Sequence, residues 1–269
     1  MNRNPNISSG WGRLGAPGKT CAPERETVTA IVGGTVVTPD GVHDGGEVVI
    51  RGTKIERVSA VCDRRPRAHT VIDAAGKVVM PGIIDLHGDD IERQLFPRPE
   101  SRIDTSTALV HADRTNVANG ITTKFHAVAF ENDPGENRTV ELAQEIAREL
   151  HEASALLGDN RVHARCEVTE SAETIRELLN GPLSVDMVSL MNHLPGEGQF
   201  PDYEAFERRY VDGCGLAPED VEHLAERRTD VPEEAFRERT SRLSAAARDV
   251  GVPVASHDDA TAAGVERMA

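Results

Sequence analysis

The chain has 269 residues, enough for one large domain or two modest ones, and with 38% hydrophobic but only 3% aromatic residues its core must be packed by branched aliphatics and alanine. A formal charge of −15 excludes a general nucleic-acid binder, which needs a basic face to neutralise phosphates. It leaves a phosphorylated small molecule open, because a local basic pocket or a metal overrides the global field.

Residues 1–26 are rich in Gly, Pro, Ser and Asn and hold no apolar core of signal-peptide type, so a disordered extension or an overlong start is expected. From Val28 the text "VTAIVGGTVVTPDGVHDGGEVVIRGTKIERVSA" alternates β-branched runs with Gly-Gly, Pro-Asp-Gly and Asp-Gly-Gly punctuation, which predicts consecutive antiparallel strands joined by tight turns. "HTVIDAAGKVVMPG" adds a turn-linked pair, so residues 27–80 form a small all-β unit. From residue 81 to 269 the rhythm becomes strand, helix, strand, with strands expected at Gly82–His87, Ile121–Phe130, Arg161–Val168, Val185–His193 and Val252–His257. "RTVELAQEIARELHEASALL" sets Val140, Leu142, Ile146, Leu150, Ala153 and Leu156 mostly on one helical face. "SAETIRELLNG" opens with Ser171 and Glu173 and closes at Gly181; "PEEAFRERTSRLSAAARDVG" starts at Pro232 and ends on Gly251, the usual helix punctuation. Alternating strands and helices mean a parallel sheet of α/β class with crossover connections. Five βα units in roughly 190 residues fall short of the ~250 of a closed eight-unit barrel. The expected fold is thus an incomplete (β/α)8 TIM-type barrel, either cut short or completed by another copy, with two unpaired edges that favour aggregation or a partner.

The chemistry gathers at the strand ends. The stretch "VVMPGIIDLHGDDIERQLFPRPE" (78–100) drives an apolar strand inward and stops it at His87, Asp89 and Asp90. The third strand ends at Glu167, the fourth at His193, and the fifth at His257 with Asp258 and Asp259. In parallel barrels these ends converge on the face that carries active sites, and imidazoles with carboxylates are the donors that zinc, manganese or iron prefer. Residues i and i+2 of a strand share a side, so His87 and Asp89 can grip one ion. A bland reading stands beside this one: a lone strand-end histidine is more often a hydrogen-bonded core residue, and Asp90 and Asp258 suit helix caps. Five such ends in one chain favour metal. His43, His69, His111, His151 and His223 read as solvated surface, whereas His126 is open between core, ligand and substrate contact. The four cysteines, Cys21, Cys62, Cys166 and Cys214, lack CxxC spacing and indicate a reducing, cytoplasmic setting. No run reaches the ~20 apolar residues that span a bilayer.

"AIVGGTVVTPDG…GEVVIRGTKIERV…VIDAAGKVVMPGIIDLH" resembles the opening of the amidohydrolase superfamily, a β-sandwich followed by a first barrel strand ending in a metal histidine. Most members continue as HxH; here the text is His-Gly-Asp. With "IERQLFPRP", "RCEV", "SLMNHLPGEGQF" and "ASHDDAT", the chain is similar to one branch, the alpha-D-ribose 1-methylphosphonate 5-triphosphate diphosphatases of the carbon–phosphorus lyase pathway, from about Val28 to the C-terminus. The resemblance implies an N-terminal β-sandwich and a pyrophosphohydrolase releasing diphosphate and leaving a 5-monophosphate. It implies His87, Asp89, Glu167, His193 and His257 as ligands of one or two divalent ions, zinc or manganese, with Glu167 as the bridging carboxylate. Phosphate binding also needs cations. Arg98, between two prolines, and Arg165, beside the third-strand ligand, are candidates for bidentate contacts, with Lys124 the weaker one and a surface ion pair the alternative for each.

Two departures matter. Gln94 stands where this branch usually has histidine. The superfamily's last barrel strand supplies an aspartate that handles the nucleophilic water, and a chain ending at Ala269 soon after its fifth strand is expected to lack it, leaving the catalytic base unassigned. Asp258 and Asp259 follow His257 too closely to replace it. The other readings are a different amidohydrolase, such as a cyclic amidase or deacetylase, against which "FPRP" and "MNHLPGEGQF" speak, and a non-catalytic metal-binding remnant. The partners expected are a phosphorylated ribose phosphonate and a second copy or C-terminal complement, with neither nucleic acid nor membrane.

Overall fold

The computed structural model describes residues 27–61, 67–98, 101–169, 185–196, 198–256, 259, 261–262 and 265–266. The chain divides into two compact units, 1–81 and 82–269.

The first unit is one five-stranded sheet. Strands β1 (Val28–Thr38), β2 (Gly41–Arg51) and β3 (Lys54–Ser59) run antiparallel in sequence, joined by turns in which Gly41 and Gly52 take positive φ. Strands β4 (Thr70–Asp73) and β5 (Val78–Val79) do not pair with each other, as a turn-linked pair suggests. Both instead lie parallel to β1, β4 along Thr29–Val32 and β5 along Thr35–Val36. The register of β1 breaks at Gly34, where a Cβ would lie 2.8 Å from Val79 and 2.9 Å from Ala74, so the loop between β4 and β5 packs directly on bare backbone. The Asp73 carboxylate accepts from the Ala75 N–H at 2.9 Å, an Asx turn that steps the chain onward along β1 rather than back on itself. A second sheet that would complete a sandwich is not among the described residues.

The second unit is mixed α/β, with a five-stranded parallel sheet in the order β10-β9-β8-β7-β6, curled as half a barrel. Its strands are β6 (Ile83–Gly88), β7 (Ile121–Phe130), β8 (Asp159–Glu167), β9 (Met187–Met191) and β10 (Val254–Ser256). Helices α1 (Ile91–Leu95), α2 (Thr105–Ala118) and α3 (Val140–Glu152) come between the first three strands. Between β9 and β10 lie α4 (Tyr203–Arg208), a π-helical turn (Arg209–Gly213), α5 (Pro218–Thr229) and α6 (Glu233–Asp249). The anticipated helix at 171–181 falls outside the described residues. Among the described residues no helix is long and apolar enough to cross a membrane.

Strand alternation positions the site. In β8 and just beyond it Val162, Ala164, Cys166 and Val168 enter the main core with Val128, Phe130, Val188 and Leu190, so the intervening Arg161, His163, Arg165 and Glu167 share the opposite face. α3 buries Leu142, Ala143, Ile146, Ala147 and Leu150 against that core. It starts at Thr139, whose hydroxyl accepts from the Leu142 N–H at 3.1 Å, and ends at Glu152, with Leu156 packing from the following loop.

α2 buries Asp113 along with Ala108, Leu109 and Ala112. The Asp113 carboxylate accepts from the Leu157 and Gly158 N–H groups at 2.8 and 2.9 Å and from Asn160 Nδ2 at 2.8 Å. It thereby moors α2 to the turn entering β8. Asn160 Oδ1 is then the acceptor for His126 Nε2 at 2.8 Å, which makes His126, fully buried and with its pKa lowered by that burial, a neutral core residue. Burial raises the Asp113 pKa, but the two backbone donors, Asn160 and Arg114 outweigh it and hold the carboxyl below its ordinary value. Its contribution is therefore present above the unfolded carboxyl pKa near ~3.9 and is lost as pH falls through the lower folded value. Asp113→Ala orphans two backbone N–H groups and is expected to destabilise the fold by about 2–3 kcal/mol at pH 7, measured by urea denaturation, with the gap to the parental chain narrowing in acid.

Candidate metal centre and pocket

Three acidic or imidazole side chains meet just past the C-terminal ends of adjacent strands. Glu131 follows the last residue of β7, Glu167 ends β8, and His193 lies two residues beyond β9. All three are buried, and their donor atoms lie within 4.8 Å of one another. His193 Nδ1 is 3.2 Å from Glu167 Oε2 and 3.4 Å from Glu131 Oε2. The His193 backbone N–H donates to Glu167 Oε2 at 3.2 Å, while the Thr169 N–H and hydroxyl donate to Oε1 at 3.1 and 2.9 Å. Glu131 is held from both sides, by Arg138 Nη1 at 3.1 Å and Arg228 Nη2 at 3.2 Å. Arg138 also grips Glu92 through Nε and Nη2 at 3.1 and 3.0 Å.

The electrostatics follow from burial and pairing. Burial alone would lower the His193 pKa, but its bonds to Glu131 and Glu167 outweigh that and raise it to about 9. Burial likewise opposes ionisation of Glu131, and His193, Arg228 and Arg138 overcome it, bringing the carboxyl down to about 2. The carboxylates Glu92, Glu131, Asp133 and Glu167 face the guanidiniums Arg138, Arg165 and Arg228. One negative charge is left over, and it takes either a proton on His193 or a bound cation to balance it. Two carboxylates and an imidazole suit a divalent ion of the zinc or manganese kind. His193 Nε2 is likewise buried and has no hydrogen-bond partner among the described residues. The donor set fits a metal.

Beside this cluster opens a pocket of 280 Å³ whose wall includes Asp89, Arg93, Arg138, Arg165, His193 and Phe200. Arg165 is its most unusual member. It is buried, its Nε and Nη1 have no hydrogen-bond partner among the described residues, and burial together with the neighbouring Arg138 pushes its pKa down. Glu92, Glu131 and Asp89 act on its charge, but none of them bonds to those two nitrogens.

The expected site residues separate accordingly. Glu167 and His193 come together, and Asp89 and Arg165 line the adjoining pocket. His87 is not in the donor cluster; its exposed ring meets the His163 ring edge-on at 5.0 Å. His257 and Asp258 lie outside the described residues. Lys124 Nζ is engaged by Asp85 at 2.8 Å and Asp90 at 3.1 Å, which also corrects the capping role suggested for Asp90: it precedes α1 but makes no side-chain cap. Arg98 is exposed, bridges to Ser101, and does not line the pocket. Glu131 was missed, although a carboxylate directly after the β7 run is the same signal that marks Glu167.

No family model matches the chain. Among curated proteins it is 28% identical over 225 residues to the alpha-D-ribose 1-methylphosphonate 5-triphosphate diphosphatase of Escherichia coli (strain K12), an overlap covering 81% of this chain and 60% of that protein. A Xaa-Pro dipeptidase crystallised with methionine in its active site superimposes with a TM-score of 0.57 at 14% identity, covering 90% of this chain and 59% of the other. An amidohydrolase structure matches with a TM-score of 0.38 at 17% identity over 88% and 80% of the two chains. The chain thus spans about three-fifths of the length of the first two. The recognition drawn from the motifs stands: the curated homologue is a member of the same diphosphatase branch.

Removing Glu131 takes one donor from the cluster and leaves Arg138 and Arg228 without their shared carboxylate. Glu131→Gln is expected to lower the zinc or manganese retained after gel filtration at least tenfold relative to the parental chain, read by elemental analysis.

Proposed function

We propose that this chain is a metal-dependent hydrolase of the diphosphatase type, cleaving alpha-D-ribose 1-methylphosphonate 5-triphosphate to the 5-phosphate and diphosphate in phosphonate breakdown. The observation that carries the proposal is the buried guanidinium of Arg165, whose Nε and Nη1 have no hydrogen-bond partner among the described residues, in the pocket beside Glu131, Glu167 and His193. The amide group of an amidase substrate is neutral and leaves such a donor pair to some other part of the molecule, whereas a phosphoryl oxygen pair matches its planar fork. The homology to the Escherichia coli diphosphatase supports the same reading.

In this reading Glu131, Glu167 and His193 hold zinc or manganese. A divalent ion at that position supplies Lewis acidity toward a phosphoric anhydride and acidifies water. The chain's own residues do the rest. Arg165 anchors a phosphate of the triphosphate chain, Asp89 lines the same pocket, and the Arg138 and Arg228 pairs keep Glu131 ionised and in place. Water adds to the phosphorus next to the ribose, that phosphorus loses its bond to the bridging oxygen, which departs with diphosphate, and the proton given up by water passes to solvent. In the same reading the parallel sheet is part of a TIM-type barrel, and the sheet of the first unit is part of a sandwich. A highly charged substrate of this kind suits a cytoplasmic reaction.

The test is diphosphate release from the ribose triphosphate by metal-loaded protein. Arg165→Lys keeps the charge but loses the fork, and kcat/KM is expected to fall about 10- to 100-fold, the equivalent of the ~1.5–3 kcal/mol of a hydrogen bond to a charged group. Parental protein that releases no diphosphate but opens a cyclic amide would overturn the assignment.

A further inference from the structure

We infer that Arg228 is a positioning residue for the metal centre, a clamp delivered by a helix outside the sheet that sets the geometry in which Glu131 and His193 meet. This rests on the metal-hydrolase reading above. Glu131 and His193 both lie past the ends of their strands, where the regular ladder no longer fixes the chain. Arg228 reaches them from α5. Its Nη2 donates to Glu131 Oε2 at 3.2 Å and to Asp133 Oδ2 at 3.3 Å; its Nη1 donates to the Tyr210 hydroxyl at 3.1 Å and the His193 carbonyl at 3.4 Å. One side chain thereby joins the loop after β7, the segment after β9 and the helical excursion.

The excursion is built to hold that side chain. Phe200, Phe206, Tyr210, Val221, Leu224 and Ala225 form an apolar cluster separate from the main core. The Arg228 guanidinium lies 6.0 Å from the Phe206 ring centroid and 5.9 Å from that of Tyr210, within cation–π range. The Tyr210 hydroxyl donates to Asp133 Oδ2 at 2.6 Å, closing a ring of Arg228, Tyr210 and Asp133 next to the candidate ligand Glu131. Only 4% of Arg228 is exposed, so its charge is committed to these partners rather than to solvent.

Charge and geometry predict opposite signs, which makes the inference decidable. Arg228 is a cation beside a cation site; by Coulomb repulsion alone, removing it tightens metal binding. Removing a clamp that orients ligands loosens binding about 10- to 100-fold. The experiment is a Mn2+ titration of the 269-residue chain, with free Mn2+ read by electron paramagnetic resonance, for the parental protein, Arg228→Met, Arg228→Lys and Tyr210→Phe. Met and Lys are both expected to weaken Mn2+ binding at least tenfold, since Lys restores charge without the fork. Phe, which removes one acceptor and spares the guanidinium, is expected to give a smaller loss in the same direction. Unchanged or tighter binding in Arg228→Met, or full affinity in Arg228→Lys, overturns the positioning role. If Arg228→Met fails to fold by circular dichroism, the Lys and Phe variants decide. A parental chain that binds no Mn2+ instead overturns the underlying metal reading.

Discussion

Ionised groups buried at the ends of parallel strands are the constraint on which this structure turns. Moving a carboxylate out of water costs several kcal/mol unless charge and hydrogen bonds replace the lost hydration. Glu131, Glu167, Asp133 and Glu92 are all buried, and the surrounding chain is organised around meeting that demand. Arg138 comes from the loop after β7, Arg228 from α5, and Thr169 and the His193 backbone close on Glu167. What remains is a deficit of positive charge centred on His193. A proton can fill it, and so can a divalent ion, for which the two carboxylates and the imidazole are already gathered.

The same accounting gives the pocket its chemical character. Arg138 and Arg209 are tied up by Glu92, Glu131 and Glu136, so they shape the wall more than they bind. Arg165 Nε and Nη1 have no such bond among the described residues. A site that is short of positive charge at one end and holds unbonded guanidinium donors at the other suits a ligand that brings anionic oxygens to both a metal and an arginine. Polyphosphate esters have that form. The chain's similarity to a diphosphatase agrees with this chemistry, and its overlay on a dipeptidase reflects the shared fold.

Much of this was legible in the sequence because it depends on local pattern. The β7 run "ITTKFHAVAF" is β-branched and aromatic between turn residues, and its bounds match the observed strand. In β8 the alternation of Val162, Ala164 and Cys166 with His163, Arg165 and Glu167 announces two chemically different faces. α3 carries a clean apolar stripe. α2 does not: it buries Thr105, Asp113 and Asn116 beside alanines, and its place is set by what Asp113 binds 44 to 47 residues away. Periodicity carries no trace of that. The parallel placement of β4 and β5 depends on a bare glycine in β1, a tertiary contact rather than a turn preference. Glu131 carries the strand-end signal of Glu167, but it also opens the polar loop "ENDPGENR" and reads as part of it until the fold puts it beside His193. Arg228, on the far side of 35 residues from His193, had no signal at all.

The central claim is that Glu131, Glu167 and His193 share one divalent ion. X-ray absorption at the zinc edge of the zinc-loaded chain tests it most directly. The account predicts an oxygen- and nitrogen-rich shell at about 2.0–2.2 Å, with the outer-shell scattering of bound imidazole, and a changed shell in Glu167→Gln. A sulfur-containing shell, or a spectrum that Glu167→Gln leaves as it was, would contradict it.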